Sequence, residues 1–386
     1  MQQSPSLTRV ALDTVLDRTR LSAMCGMPVR ASRLRIKPDT SIVMALVSVD
    51  AGTPVGWARL LWPDSRGKAD KAEHWAGRHA LRLSSTETDN GLIFQHGELL
   101  TDAKLGAYLV GDSAAITKAQ HDDAILRYNP ARRLVYRSDE DTTVTRIAAQ
   151  ADPMDMSIHK AIADIVATPT RLDDGRNLHR SVHTLVGDGD LTVFGDISST
   201  YDAGEMLAEL HRGVDTLPPL VAAELQRRGN VFAQTEPGAT HARVLDHLSP
   251  DLAAGVRDVA GKITDDRAAH CSTPRHTALL HGDASPDQVL FRHNDGALWL
   301  TDFDRTHLGD PVTDLGTYLS VVDQPIGEAF LAGYAAAGGA LPSETDIRRA
   351  TAHAMLMRLA EPLRAAEPDW EQRINEELDR IKEVLP

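Results

Sequence analysis

Along the first half of this chain, short apolar runs are broken by turn residues; along the second half, apolar residues recur at helical spacing. Arg33 to Asp50 carries two such runs on either side of Lys37-Pro38-Asp39. Proline presets the backbone angle at the second turn position, so this stretch predicts two strands and a turn. Gly56 to Leu61 predicts another strand, Asp70 to Arg82 a helix, Gly91 to His96 a short strand and Asp102 to Leu109 a helical stretch. Ala124 to Ala149 is the clearest β segment. Its three apolar runs, separated by Asn129-Pro130-Ala131 and by Ser138 to Thr142, predict a three-stranded meander. The first of its hairpins echoes the earlier one, with Leu126 to Pro130 matching Leu34 to Pro38. A helix is expected over Met154 to Ala167, and strands over Val182 to Val186 and Leu191 to Asp196. Helical spacing then marks Gly204 to His211, Pro218 to Arg228, Ser249 to Ala268 and Pro325 to Leu385. Only Ala278 to Arg305 interrupts it, with a short apolar run, a loop and a hairpin. The expected architecture is α+β and two-lobed, β-rich before a boundary near Ser198 to Asp202 and α-rich after it.

Composition narrows the class. With 386 residues, 42% hydrophobic and 25% charged, the chain can bury two or three domain cores. Two cysteines exclude a disulfide-stapled fold. No apolar run reaches membrane-spanning length, and Met1 to Leu16 lacks a signal-peptide core, so no membrane is implied and a cytoplasmic protein is expected. A net charge of -14 argues against a nucleic-acid surface and would suit a cationic substrate in an acidic cleft. There are only eight lysines, which limits where a catalytic lysine can stand.

The chemistry concentrates between Leu280 and Leu319, where His281, Asp283, Asp302, Asp304, Asp310 and Asp314 fall close together. Val289 to Phe291 and Ala297 to Leu300 read as strands joined by the turn His293 to Gly296. A hairpin of that size brings Asp283 and Gln288 beside Asp302. One carboxylate there can accept a proton from a hydroxyl nucleophile, and another can hold a hard cation that bridges phosphate oxygens.

The run HGD, four residues, Gln288, then Asp302-Phe303-Asp304 resembles the catalytic and metal loops of the aminoglycoside phosphotransferase and choline kinase family. Gly309-Asp310-Pro311 with Asp314-Leu315, and Gly204 with Leu207-Ala208 and Leu210-His211, match the same family. The resemblance spans about residues 124 to 375. It implies a bilobal protein-kinase-like fold in three parts: an appended β-rich segment over 1–120, an N-lobe over 121–200 and a helical C-lobe over 201–386. It implies ATP or GTP and magnesium as cofactors, with γ-phosphate transfer to a hydroxyl of an aminoglycoside, another natural product or a sugar. Asp283 would be the catalytic base and His281 its catalytic-loop companion, buttressing the loop. Asp302 and Gln288 would hold the metal, and Asp304 would touch metal or substrate. Asp310 and Asp314 would stabilise the fold, Asp314 by bonding the backbone or His281.

Three positions depart from the family pattern. Gln288 stands where asparagine is usual. Arg146, on the predicted strand Thr143 to Ile147, stands where a phosphate-binding lysine is usual, and the helix after it offers Asp155 and Asp164 but no glutamate. The phosphate-covering turn lacks glycine, and Arg132 and Arg133 would supply contacts there. Two further readings stay open. One is a Ser/Thr kinase of a precursor peptide in lanthipeptide or thioamitide biosynthesis, working with a partner lyase. The other is a degenerate pseudokinase that binds or scaffolds. Elsewhere, His211 reads as a cap or packing residue, Ser285 as a loop hydrogen-bonder, Cys271 as a buried hydrophobe and Asp139-Glu140-Asp141 as a solvated turn. Trp370 reads as the anchor of a C-terminal helix. His179 and His183 do not form a zinc pair.

Overall fold

A computed structural model describes residues 5–138, 142–233, 236, 238–269 and 277–386. The turn at Asp139-Glu140-Asp141 and Cys271 lie outside the described residues. The chain opens with helices α1 (Leu7–Leu16) and α2 (Arg18–Cys25), which apolar spacing did not announce. Ser6 and Asp17 cap them by accepting backbone N–H bonds. A five-stranded antiparallel sheet follows: β1 (Val29–Lys37), β2 (Ser41–Ser48), β3 (Pro54–Leu61), β4 (Leu83–Glu87) and β5 (Ile93–Glu98), in the order β1-β2-β3-β5-β4. Helix α3 (Arg66–Arg78) connects β3 to β4. The predicted helix at Asp102 to Leu109 shrinks to α4 (Gly106–Leu109), because Asp102 uses its side chain to accept from Lys104 and Leu105 N–H in a turn.

Helix α5 (Ser113–His121) leads into a second sheet of β6 (Ile125–Asn129), β7 (Arg133–Ser138), β8 (Thr143–Ala148) and β9 (Arg180–Thr184), in sequential antiparallel order. The expected meander is its first three strands, and α6 (Asp155–Ala163) lies between β8 and β9. The two hairpins that echo each other in sequence sit in different sheets. Both carry a register shift, at Ser32/Arg35 and at Ile125/Arg127. Both turn through a left-handed residue after the proline, Asp39 at φ 52° and Ala131 at φ 59°.

The strand expected over Leu191 to Asp196 is not one. Only Gly189–Asp190 (β10) pairs, and Leu191–Phe194 is a short helix, α7. The Asp190 carboxylate accepts from Thr192 N–H and starts the helical turn, which overrides the apolar run. Helix α8 (Ile197–Arg212) begins seven residues before the predicted start at Gly204, at a capping box between Asp196 and Ser199. Next come α9 (Pro219–Ala233), α10 (Ala239–Leu245) and α11 (Pro250–Ala269). The chemistry-bearing segment contributes β11 (Ala278–Leu280), the hairpin β12 (Val289–Arg292) and β13 (Ala297–Leu300), and β14 (His307–Gly309). Five helices close the chain: α12 (Val312–Leu319), α13 (Gln324–Ala336), α14 (Glu344–Arg358), α15 (Glu361–Arg364) and α16 (Trp370–Val384). At Gly204, an added Cβ would lie 2.1 Å from the Phe330 carbonyl oxygen, so glycine lets α8 pack directly on α13.

The first sheet is buried on both faces. Ile42, Met44, Leu46, Ala58 and Leu60 join one core with α1, α2 and residues of α10, α11, α14 and α16. Ala45 and Trp57, on the opposite face, join a second core with Tyr128, Leu134, Tyr136 and Ile147 of the second sheet. Successive strand residues face opposite ways, so a strand packed on both sides reads as the near-continuous apolar run of β2. The first sheet therefore bridges the second sheet and the C-terminal helices. Trp370 is buried in the first of these cores, as expected of a helix anchor.

Candidate active site

The loop between β11 and β12 carries His281, Asp283, Ser285 and Gln288; the loop after β13 carries Asp302, Asp304 and Arg305. β11 pairs with β14, and the Thr301 N–H donates to the Gln288 carbonyl. The two loops are thus locked side by side, as the hairpin argument requires.

Asp314 organises the first loop from below. It is fully buried and accepts from the backbone N–H groups of His281 and Gly282, at 2.7 and 2.9 Å, and from His211 Nε2 at 3.1 Å. Burial opposes its ionisation, but the His211 bond and these N–H groups hold its carboxyl below the ordinary range. His211 completes a chain by accepting at Nδ1 from the Tyr334 hydroxyl, 2.8 Å away. It is a loop-supporting residue and not a cap; a buried partner 103 residues distant is invisible in local sequence. Gly282 has φ 79°, and an added Cβ would meet the Arg305 carbonyl at 2.2 Å, so only glycine fits between the two loops. His281 is fully buried. Its Nε2–H donates to the Thr301 carbonyl at 2.8 Å, and its Nδ1 accepts from the Asp283 N–H at 3.3 Å. Both ring nitrogens are occupied, so His281 positions the loop and offers no atom to a substrate. Ser285 bonds the Asp283 carbonyl and the Asp287 carboxylate within the loop.

Above the loops, charges of both signs interlock. Asp302, at φ 61°, receives two parallel bonds from Arg133, at 3.0 and 2.9 Å. Arg133 also reaches Asp304 at 2.8 Å, and Arg146 grips both oxygens of Asp304 at 2.6 Å. Arg127 lies 3.9 Å from Asp302. Burial opposes ionisation of Asp302, but Arg133, followed by Arg146 and Arg127, holds it below the ordinary carboxylate range. Asp155, which sequence offered as a partner for Arg146, instead pairs with Arg171, at 2.5 Å. Gln288 is buried and its amide donates to Asp287, which leaves its carbonyl oxygen for another partner. Asp283 accepts from Arg305 at 3.2 Å. Asp310 accepts from the Val312 N–H at the start of α12.

The glycine-free turn between β6 and β7 is held by a residue that sequence did not single out. The buried carboxylate of Asp102 accepts from the Ala131 N–H and the Tyr128 hydroxyl, each at 2.7 Å. Arg132 and Arg133 are therefore presented by a pinned turn and not by a mobile glycine loop. They diverge: Arg133 goes to Asp302, while Arg132 faces Arg35, Arg364 and Arg305. Asp283, Asp302, Asp304 and these arginines all line one open cleft of about 1570 Å³.

The sequence pattern of the phosphotransferase enzyme family (APH) matches residues 108–353, a span holding every loop just described. The chain belongs to this family. Its α+β fold, with a β-rich N-terminal part and a helical C-terminal part, is the family's protein-kinase-like architecture. No curated protein matches the chain. Among solved structures, the chain is similar to aminoglycoside 2'-phosphotransferase-IIIa in its GDP complex, at 18% identity and TM-score 0.49, over 71% of this chain and 98% of that one. It is similar to a choline/ethanolamine kinase family protein from Mesorhizobium loti, at 18% identity and TM-score 0.45, over 65% and 84%. It is also similar to choline kinase LicA from Streptococcus pneumoniae, at 12% and 0.46, over 71% and 99%. Within the phosphotransferase family match, the cleft corrects one expectation from net charge. Thirteen of its lining residues are arginine or lysine and six are aspartate or glutamate. An acidic chain thus encloses a basic cleft, because net charge averages over a surface that the fold then sorts. No helix among the described residues is long and apolar enough to cross a membrane.

Proposed function

We propose that this family member transfers the γ-phosphate of ATP or GTP, with magnesium, to a hydroxyl of a small molecule. The observation that carries the reading is the meeting of Asp283 with the Asp302–Asp304 pair in one arginine-lined cleft. A magnesium ion suits the donor set. Magnesium is typically held by one or two carboxylates, with water and phosphate oxygens completing its shell. Here Asp302 and Asp304 oxygens converge on a single nitrogen of Arg133, the side-chain carbonyl of Gln288 is uncommitted, and among the described residues no third acidic or histidine ligand closes the site. When bound there, the ion would neutralise phosphate oxygens. Arg133 and Arg146 would bind the phosphates in exchange for the aspartates, with Arg132 at the edge of the same turn. Asp283 would accept the proton as the acceptor oxygen bonds to the γ-phosphorus and the bond to the nucleoside diphosphate breaks. Arg305 holds that carboxylate in place through its hydrogen bond. The same reading divides the chain into the segment 1–120, a nucleotide-covering lobe over 121–200 and a helical lobe over 201–386.

The test is phosphate transfer from radiolabelled ATP across a panel of alcohols, beside calorimetry of MgATP binding. Asp283→Asn should lower turnover about 100-fold or more while MgATP binding persists. Asp302→Asn should abolish the magnesium dependence of binding. A second reading has one observation in its favour: Arg133 and Arg146 fully engage Asp302 and Asp304, as they would in a pseudokinase that no longer loads metal. Wild-type protein that binds no nucleotide at millimolar magnesium decides for that reading.

A further inference from the structure

Besides Arg133 and Arg146, the cleft is lined by a second group of arginines. Arg33 and Arg35 come from the register-shifted part of β1, Arg132 from the β6–β7 turn, Arg305 from the loop after β13 and Arg364 from α15. Four separate elements aim like charges at one space. Arg305 and Arg364 each have one acidic partner, Asp283 and Glu361. Among the described residues, no ion pair involves Arg33, Arg35 or Arg132. Burial and then Arg35, Arg364, Arg133 and Arg305 lower the proton affinity of Arg132. Like charges that outnumber their counter-charges cost free energy in the resting fold, so a ligand that supplies further negative charge gains what they give up. The two echoing hairpins build this surface together, since both line the cleft.

We propose that Arg35, Arg132 and Arg364 form a subsite for a phosphate already carried by the acceptor, so that the substrate is a phosphorylated small-molecule alcohol. Several guanidinium groups lining one space suit a doubly charged anion with three acceptor oxygens. Arg305 links the subsite to Asp283, so an acceptor anchored there presents a neighbouring hydroxyl to the base. The inference rests on the phosphotransferase reading and names the acceptor class for it.

Calorimetry on the full chain, with ADP and magnesium filling the nucleotide site, tests it without needing turnover. Glucose 6-phosphate and glycerol 3-phosphate should bind at least 10-fold tighter than glucose and glycerol, and more weakly as salt rises. Arg35→Gln and Arg364→Gln should each weaken the phosphorylated ligands about 10-fold while the ADP affinity and the thermal midpoint stay unchanged. In transfer assays, the same variants should raise the acceptor KM and leave the ATP KM alone. Equal binding of charged and uncharged alcohols, a preference for kanamycin or for an acidic serine peptide, or insensitivity to both variants overturns the proposal. Failure to bind ADP or ATP at all counts against the phosphotransferase reading, while the phosphate titration still judges the subsite.

Discussion

At the residue scale, the site depends on a few buried polar atoms whose partners are all intramolecular. Asp314 is the strictest case, because three donors converge on a carboxylate with no access to water. Asp314→Asn puts an amide N–H against one of those donors and removes the charge that all three face. A stability loss of about 3 kcal/mol is expected, as for buried hydrogen bonds to a charged group that are left unmade. Chemical denaturation measures it, and an unchanged midpoint would show that the loop is held some other way. His183 behaves differently. Burial first, and then His159 and Arg171, lower its pKa to about 4 from an ordinary 6.5. The folded form therefore takes up its proton later than the unfolded chain does. Its contribution to stability is complete above pH 6.5 and is lost as the pH falls toward 4, on the order of 2 kcal/mol after allowance for partial exposure. Thermal midpoints recorded across that window should fall with pH, and His183→Phe should flatten the slope.

At the scale of elements, the β6–β7 turn shows how one carboxylate replaces a glycine-rich loop. Asp102 accepts from Lys104, Leu105, Ala131 and the Tyr128 hydroxyl, so it ties the segment before α4 to the turn that presents Arg132 and Arg133. Asp102→Ala leaves four donors without their acceptor. The expected result is a rise in the KM for ATP of about 10-fold beyond any loss of stability, because the turn loses its fixed position. A KM that does not move, in a variant that still folds, would separate the turn from nucleotide binding. The β12–β13 hairpin is the opposite case. Its strands and turn are local, and the placement of Gln288 beside the loop of Asp302 could be read directly from chain length.

At the scale of the whole molecule, the first sheet is a structural bridge between the second sheet and the C-terminal helices. Helices α1 and α2 bury Leu12, Val15 and Leu21 completely against that core, and Arg9 reaches both the Leu248 carbonyl and Glu371 of α16. Removing residues 1–27 should therefore cost about 1.5–3 kcal/mol for each of those three side chains. It should lower the thermal midpoint of the entire protein in one transition. A truncated chain that melts in two separate steps, with the second unaffected, would show that this segment is an independent unit. The same bridge brings Arg35 across to Arg132 and Arg364, so the basic side of the cleft depends on how three distant parts of the chain dock.

What the sequence determined by itself was local or motif-borne. Turn residues and apolar runs marked the meander and the hairpin, and the HGD and Asp302-Phe303-Asp304 runs marked the two loops, because their geometry follows from neighbours a few residues away. The helix at Leu191–Phe194 and the early start of α8 were missed because one capping aspartate outweighed the apolar pattern in each case. Tertiary structure alone decided the rest. It gave Arg146 to Asp304 and Asp155 to Arg171, set His211 under Asp314, pinned the β6–β7 turn with Asp102, and gathered arginines into a basic cleft within an acidic chain. Charges and buried hydrogen bonds choose partners through space, and residues more than a hundred positions apart become neighbours only when the sheets and helices have packed.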